Sequence, residues 1–267
     1  MKGCVASVCL LLICAGRAFA QAPDTVLLEE LTWTELRELI GLKTTTIIVP
    51  VGGTEQNGPH MTLGKHNVRV KVLSEKIARG LGHTLVAPVI AYVPEGRLSP
   101  ATGHMRFPGT VTVPDETFQT VLEYAARSFR LHGFRDIVFL GDHGGTQAAQ
   151  KTVADRLNRE WAATAVRVHA VEDYYRAADV DFPRLLRTRG YREEELGGHA
   201  GLADTSLMLA VDPRVVRSGR LQPGSGSREA SGVSGDPSRA GAELGQLGVE
   251  LIVSRTVDAI RKSIARR

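Results

Sequence analysis

The sequence predicts a single α/β domain with a mainly parallel sheet covered by helices. Apolar runs of strand length (TTTIIVPV, TLVAPVIAYV, DIVFLGD and TAVRVHAVE) alternate with segments of helical periodicity. Those runs are apolar on both faces, the mark of strands covered on each side. Neither an internal repeat nor a linker divides the chain.

The first twenty residues stand apart. Lys2 is followed by the apolar stretch VASVCLLLICAG, then Arg17 and the small-residue site Ala18-Phe19-Ala20. This is the pattern of a secretory leader over 1–20, cut before Gln21. The apolar run is short for a membrane span and Arg17 closes it. Ile13, bulky before Cys14, argues against a lipid-anchor site. The three cysteines, Cys4, Cys9 and Cys14, all lie in this leader, so residues 21–267 hold none. A cysteine nucleophile, a zinc ribbon and a disulfide framework are excluded there. Removing Lys2 and Arg17 lowers the formal charge of +4 to +2, too little to argue for nucleic acid. Aromatic residues at 5% give no base-stacking platform. No further run is long and apolar enough to cross a membrane, and the expected place is a periplasm or outside the cell.

The elements follow in order. LEELTWTELRELI reads as a helix, TTTIIVPVGG as a buried strand entering a glycine turn, and NVRVKVLSEKIARGLG as a helix stopped at Gly82. TLVAPVIAYV reads as a second strand. Residues 95–110 are a loop rich in Gly, Ser and Pro. A helix opens at Pro114 with Asp115 and Glu116 in its first turn, and Gly133 ends it. DIVFLGD is the third strand, followed by His143-Gly144-Gly145 and a helix, and TAVRVHAVE is the fourth. Residues near 222–241 read as a mobile Gly/Ser/Pro-rich loop, and a helix with Leu244, Leu247, Leu251 and Ile260 closes the chain.

Sites in such sheets lie at the carboxyl ends of strands. GGTEQNGPHMTLGKH places Glu55, Asn57, His60 and His66 just past the first strand. These types suit Zn²⁺ or Mn²⁺, or equally a polar loop bonded to its own backbone. GDHGG puts His143 at the end of the third strand, where Gly144 and Gly145 let a ligand approach the backbone. GGHAGLADTS holds His199 and Asp204, an acid–base pair or a helix entry. TGHMRFPGT carries His104 beside a tight turn. There is no GxSxG elbow, no phosphate loop and no HExxH.

In this order the clusters resemble the creatininase (creatinine amidohydrolase) family. Its first signature, P-x-G-S-x-E-Q-H-G-P-H-L-P-L-x-T-D, stands here as PVGGTEQNGPHMTLGKH. FPGT, the strand ending at His143, GGHAGLADTSLML and GVSGDPSRAGAELG follow as its later blocks, and LTWTEL resembles its opening helix. The resemblance spans roughly Leu28 to Ile260. It implies a three-layer α/β/α sandwich, often oligomeric, with a hexamer as the family's form. It also implies hydrolysis of a C–N bond in a small cyclic or linear amide by a metal-activated water at a two-metal centre.

By the same resemblance Glu55, His143 and Asp204 are ligand positions, His199 and Asp204 are proton-handling positions, and Asn57, His60, His104, Gly144 and Gly145 line the pocket. Two positions depart. Asn57 stands where the family has a ligand histidine, and His66 where it has the aspartate bridging both metals. Gly145 stands where creatininase itself has a glutamate. A carboxylate bridges with two oxygens, while a neutral imidazole offers one lone pair. The expectation is a divalent ion, Zn or Mn, with one per chain favoured over two, held by Glu55, His66, His143 and Asp204. The alternative is a non-catalytic periplasmic protein that binds a small ligand in the old pocket.

Overall fold

The structure is a computed structural model. It describes residues 23–222 and 228–266. The expected leader lies outside them, as does part of the loop near 222–241.

The first expected helix is divided. Leu28–Glu30 is one 3-10 turn, and helix α1 (Trp33–Gly41) begins after Thr32. Thr32 Oγ1 accepts from the Glu35 N–H while the Glu35 carboxylate accepts from the Thr32 N–H, a reciprocal cap that sets the start. Strand β1 (Thr46–Val51) leads through the Glu55 loop to α2 (Lys65–Leu81), which stops at Gly82. Strand β2 is only Thr84–Val86, shorter than its apolar run. Pro88, with no N–H, interrupts the ladder, and the chain keeps contact with β1 through Ile90 N–H to Pro50 O. Helix α3 (Asp115–Leu131), strand β3 (Asp136–Gly141), helix α4 (Gln147–Glu160) and strand β4 (Arg167–Ala170) follow as the pattern predicts.

Residues 173–196 carry no clear periodic signal; α5 (Asp173–Arg176) and α6 (Phe182–Thr188) form one continuous run through the π-helical turn Ala177–Asp181, and the single turn α7 (Glu193–Leu196) follows. Helices α8 (Leu202–Val211), α9 (Arg228–Ser231) and α10 (Ala242–Ala265) complete the chain.

The strands pair in parallel in the order β2-β1-β3-β4. Side chains alternate between two cores. Ile48, Val138 and Leu140 pack with α2, α8 and α10, while Ile47, Val49, Ile137 and Phe139 pack with α3 and α4. The result is a three-layer α/β/α sandwich. The connections from β1 and β3 leave in opposite directions, so a crevice opens beyond their carboxyl ends. The loops after β1 and β3 carry Glu55 and His143 into it.

Candidate functional site

A cavity of about 190 Å³ lies at that crevice. Glu55, Lys65, His66, Arg69, His104, Asp142, His143 and His199 are among the residues lining it, with Gly144, Gly145 and Asp204.

Glu55 is the centre. It is fully buried, and its Oε2 makes no well-aligned hydrogen bond. Nε2 of His104 stands 3.2 Å from that oxygen and Nε2 of His143 stands 3.4 Å from it. Ligand atoms of these three residues lie within 4.8 Å of one another. An ion about 2.1 Å from two such atoms would hold them about 3.0–3.4 Å apart at octahedral or tetrahedral angles. Burial pushes the Glu55 carboxyl up, but hydrogen bonding to His143 and His66, with the charges of His66 and Lys65, outweighs it and holds the pKa below the usual carboxylate range.

A second carboxylate faces the same point. Glu95 is 5% exposed, and neither of its oxygens has a hydrogen-bond partner. Its Oε2 is 3.3 Å from His143 Nε2. Burial, then the Glu55 charge beside it, pushes its carboxyl up to about 9. His143 Nδ1 is also buried without a partner. Orphaned buried polar atoms are rare, and here four of them sit on Glu55, Glu95 and His143. The donor set fits one divalent ion.

The other expected ligands are engaged by groups of the protein. The sequence-predicted ligand Asp204 has both oxygens engaged: Lys65 Nζ at 2.6 Å and the Ala200 N–H at 3.0 Å on Oδ2, Arg69 at 2.5 Å on Oδ1. Ala200 adopts φ +56°, a left-handed conformation uncommon for alanine, to aim that N–H. Burial opposes the Asp204 charge, yet Lys65 and Arg69 hold its pKa well below the usual value.

His66, also expected as a ligand, has both nitrogens taken. Nε2 is 2.7 Å from Glu55 Oε1 and Nδ1 is 2.7 Å from Asp142 Oδ2. Burial works against the Asp142 charge, but Arg69 and His66 keep that carboxyl below its usual pKa. Each ring nitrogen therefore already faces a carboxylate of the protein. Asn57 Nδ2 donates to the backbone oxygens of Glu55 and Thr62. Asn57 and His60 are not among the residues lining the cavity. His60, buried, pairs through Nε2 with Thr205 Oγ1 at 3.0 Å and braces α8. Two fixed cations, Lys65 and Arg69, thus hold the carboxylate that a second ion would need.

Gln56 orders the imidazoles. Its Oε1 accepts from the Gly58 N–H and its Nε2 donates to Gly232 O, which fixes the amide. Nε2 then faces His104 Nδ1 at 2.9 Å, which orients that ring toward Glu55. His199 Nε2 donates to Gln56 O at 3.0 Å. Burial and the Lys65 charge push His199 down to about 3, so it is neutral with its lone pair on Nδ1. That Nδ1 lies 3.8 Å from Glu55 Oε1.

Sequence reasoning found Glu55, His143 and His199 through strand ends and motifs. It did not find Glu95, Lys65, Arg69 or Asp142. For each a signal existed: Lys65 and Arg69 lie on the stripe of α2 that holds Val70, Leu73 and Ile77, Asp142 directly follows the fully buried β3, and Glu95 stands two residues past the apolar run TLVAPVIAYV.

The sequence profile of the family described as creatinine amidohydrolase matches residues 29–260. The chain belongs to the creatininase family. It is 26% identical over 255 residues to the creatinine amidohydrolase of Pseudomonas putida, covering 89% of this chain and 97% of that one. It is 26% identical over 245 residues to the mycofactocin precursor peptide peptidase of Mycobacterium ulcerans (strain Agy99), covering 83% and 85%. A solved creatininase described with Mn superposes with a TM-score of 0.73 at 26% identity, covering 90% of this chain and 99% of that one. Family membership makes a metal-dependent amidohydrolase the supported class.

Proposed function

We propose that this creatininase-family protein hydrolyses the C–N bond of a small, non-peptide cyclic or linear amide with one divalent ion, Zn or Mn, at Glu55, His143 and His104. The observation that carries this reading is the convergence of their ligand atoms on one point, beside a would-be second site filled by Lys65 and Arg69. When bound, such an ion polarises a carbonyl and acidifies water.

The other roles belong to the chain. His199 Nδ1, neutral and free of a hydrogen, accepts a proton from the attacking water, and the same nitrogen can return it to the leaving amine. Lys65 presents an ammonium in the cavity wall that Asp204 holds in place, a fixed charge that orients a polar substrate. The cavity of about 190 Å³ favours a compact lactam or formamide over an extended chain. The leader pattern of residues 1–20 supports action outside the cytoplasm.

The test is a panel of lactams, formamides and short peptides assayed with protein purified without chelators, alongside elemental analysis. Expected are about one ion per chain and turnover of a small amide that His143→Ala abolishes with its circular dichroism unchanged. Near two ions per chain would overturn the one-ion site. No ion after Zn and Mn are both offered, with no turnover, would make this a ligand-binding protein that has lost the reaction.

A further inference from the structure

We propose that Glu95 is a metal ligand of this site, completing with Glu55, His143 and His104 a coordination shell of two carboxylates and two imidazoles. The inference rests on the one-ion reading above and names a ligand that the family motifs do not supply.

The geometry points there from several sides. Glu95 Oε2 is 3.3 Å from His143 Nε2, nearly the 3.4 Å that separates the same nitrogen from Glu55 Oε2. His143 Nε2 is therefore flanked by two carboxylate oxygens at ligand-to-ligand spacing. Both Glu95 oxygens are buried and unpartnered, in a protein where buried polar atoms normally find partners. When both carboxyls are ionised they repel, and a divalent cation between them removes that repulsion and takes up lone pairs of both.

The backbone holds the side chain in this position. The Glu95 N–H donates to Thr112 Oγ1 at 3.0 Å, and that hydroxyl donates to Gly96 O at 3.1 Å. The neighbouring Val93 is fully buried. On the other side, a Cβ at Gly53 would stand 2.7 Å from Glu95 Oε1, so glycine there keeps the seat open. Gly145, which has no side chain to give, lies near the carbonyl of Pro94, whose chain neighbour is Glu95.

Glu95→Gln tests this, because glutamine keeps the shape and can still hydrogen-bond to Glu55. If Glu95 served only to share a proton with Glu55, glutamine would replace it. Zn²⁺ affinity is read by competition with a chromophoric chelator, and Co²⁺ is read by its visible absorption. The expected result is an apparent dissociation constant for Zn²⁺ raised by roughly 100-fold or more, since even outer partners of ligands are worth about 10–100-fold. The Co²⁺ bands should shift in position and intensity, because a ligand has changed. The metal-free variant should melt no lower than the metal-free parent, since one of two facing carboxyls is gone. Parental Zn²⁺ affinity with an unchanged Co²⁺ spectrum would overturn Glu95 as a ligand and leave the one-ion reading standing. A parent protein that binds neither ion would overturn both.

Discussion

Lys65 is the residue where cost and use are easiest to separate. Its side chain is 1% exposed, and removing an ammonium from water costs several kcal/mol unless a partner compensates. Asp204 is that partner, shared with Arg69. Lys65→Met should therefore destabilise the protein by about 3 kcal/mol, because Asp204 is left with one cation instead of two. Adding Asp204→Asn should recover part of that loss. Urea denaturation of the parent, the single variants and the double variant measures the coupling. A strictly additive double variant would mean the pair contributes nothing of its own. Legibility at this scale tracks how local the signal is. Glu55 and His143 were readable because a strand end is a place in the sequence. The family resemblance implies Asp204 as a ligand, but a motif does not reveal which cation meets it. Lys65 lies 139 residues away.

Helix α2 turns that pairing into architecture. One helical turn presents Lys65, His66 and Arg69 to the crevice, while Val70, Leu73 and Ile77 fill the core beneath. The helix thus delivers three donors to Glu55, Asp142 and Asp204, which come from the β1 loop, the end of β3 and α8. Helix α8 must then sit at a fixed height, and α10 sets it. A Cβ at Gly245 would stand 1.8 Å from the carbonyl of Ser206, so the two backbones touch there. Gly245→Ala should push α8 outward and cost about 2–3 kcal/mol by overpacking, read as a lower urea midpoint. Because α8 carries Asp204, the same variant should weaken the effect of Lys65→Met. An unchanged midpoint would show that α10 can shift without moving α8. The long periodic helices and the buried strands were legible from pattern, since burial on one or both faces writes itself into residue order. Helices α5–α7 were not. They are short, and tertiary packing of residues such as Tyr174, Phe182 and Leu196 holds them rather than any repeat of their own.

Across the whole molecule the charges form one alternating chain: Lys65, Asp204, Arg69, Asp142, His66, Glu55. It ties both halves of the sheet edge to the helices on one face, so its protonation should be felt as global stability. The sign follows from Asp142 and Asp204. Each has a folded pKa below its unfolded value, so each contributes stability that is present above the ordinary carboxylate pKa and lost as pH falls below it. Protonating them also strands Lys65 and Arg69 as buried cations. The contribution of these two carboxyls should stay constant from neutral pH down to about 5, then be lost through the range below about 4. These two carboxyls together should add up to two protons to the slope there, about 2.7 kcal/mol per pH unit. Urea midpoints at a series of pH values measure it. In the double variant Lys65→Met with Asp204→Asn, one of the two titrating carboxyls is gone, and the slope should drop by about one proton. Tyr174, whose hydroxyl donates to Asp142 Oδ1 at 2.6 Å, keeps the remaining carboxyl paired, so the second proton should stay visible. Equal slopes in parent and double variant would place the acid sensitivity outside this network, with surface pairs such as Arg127–Glu160, where the arginine holds the glutamate down to about 2, as the next place to look.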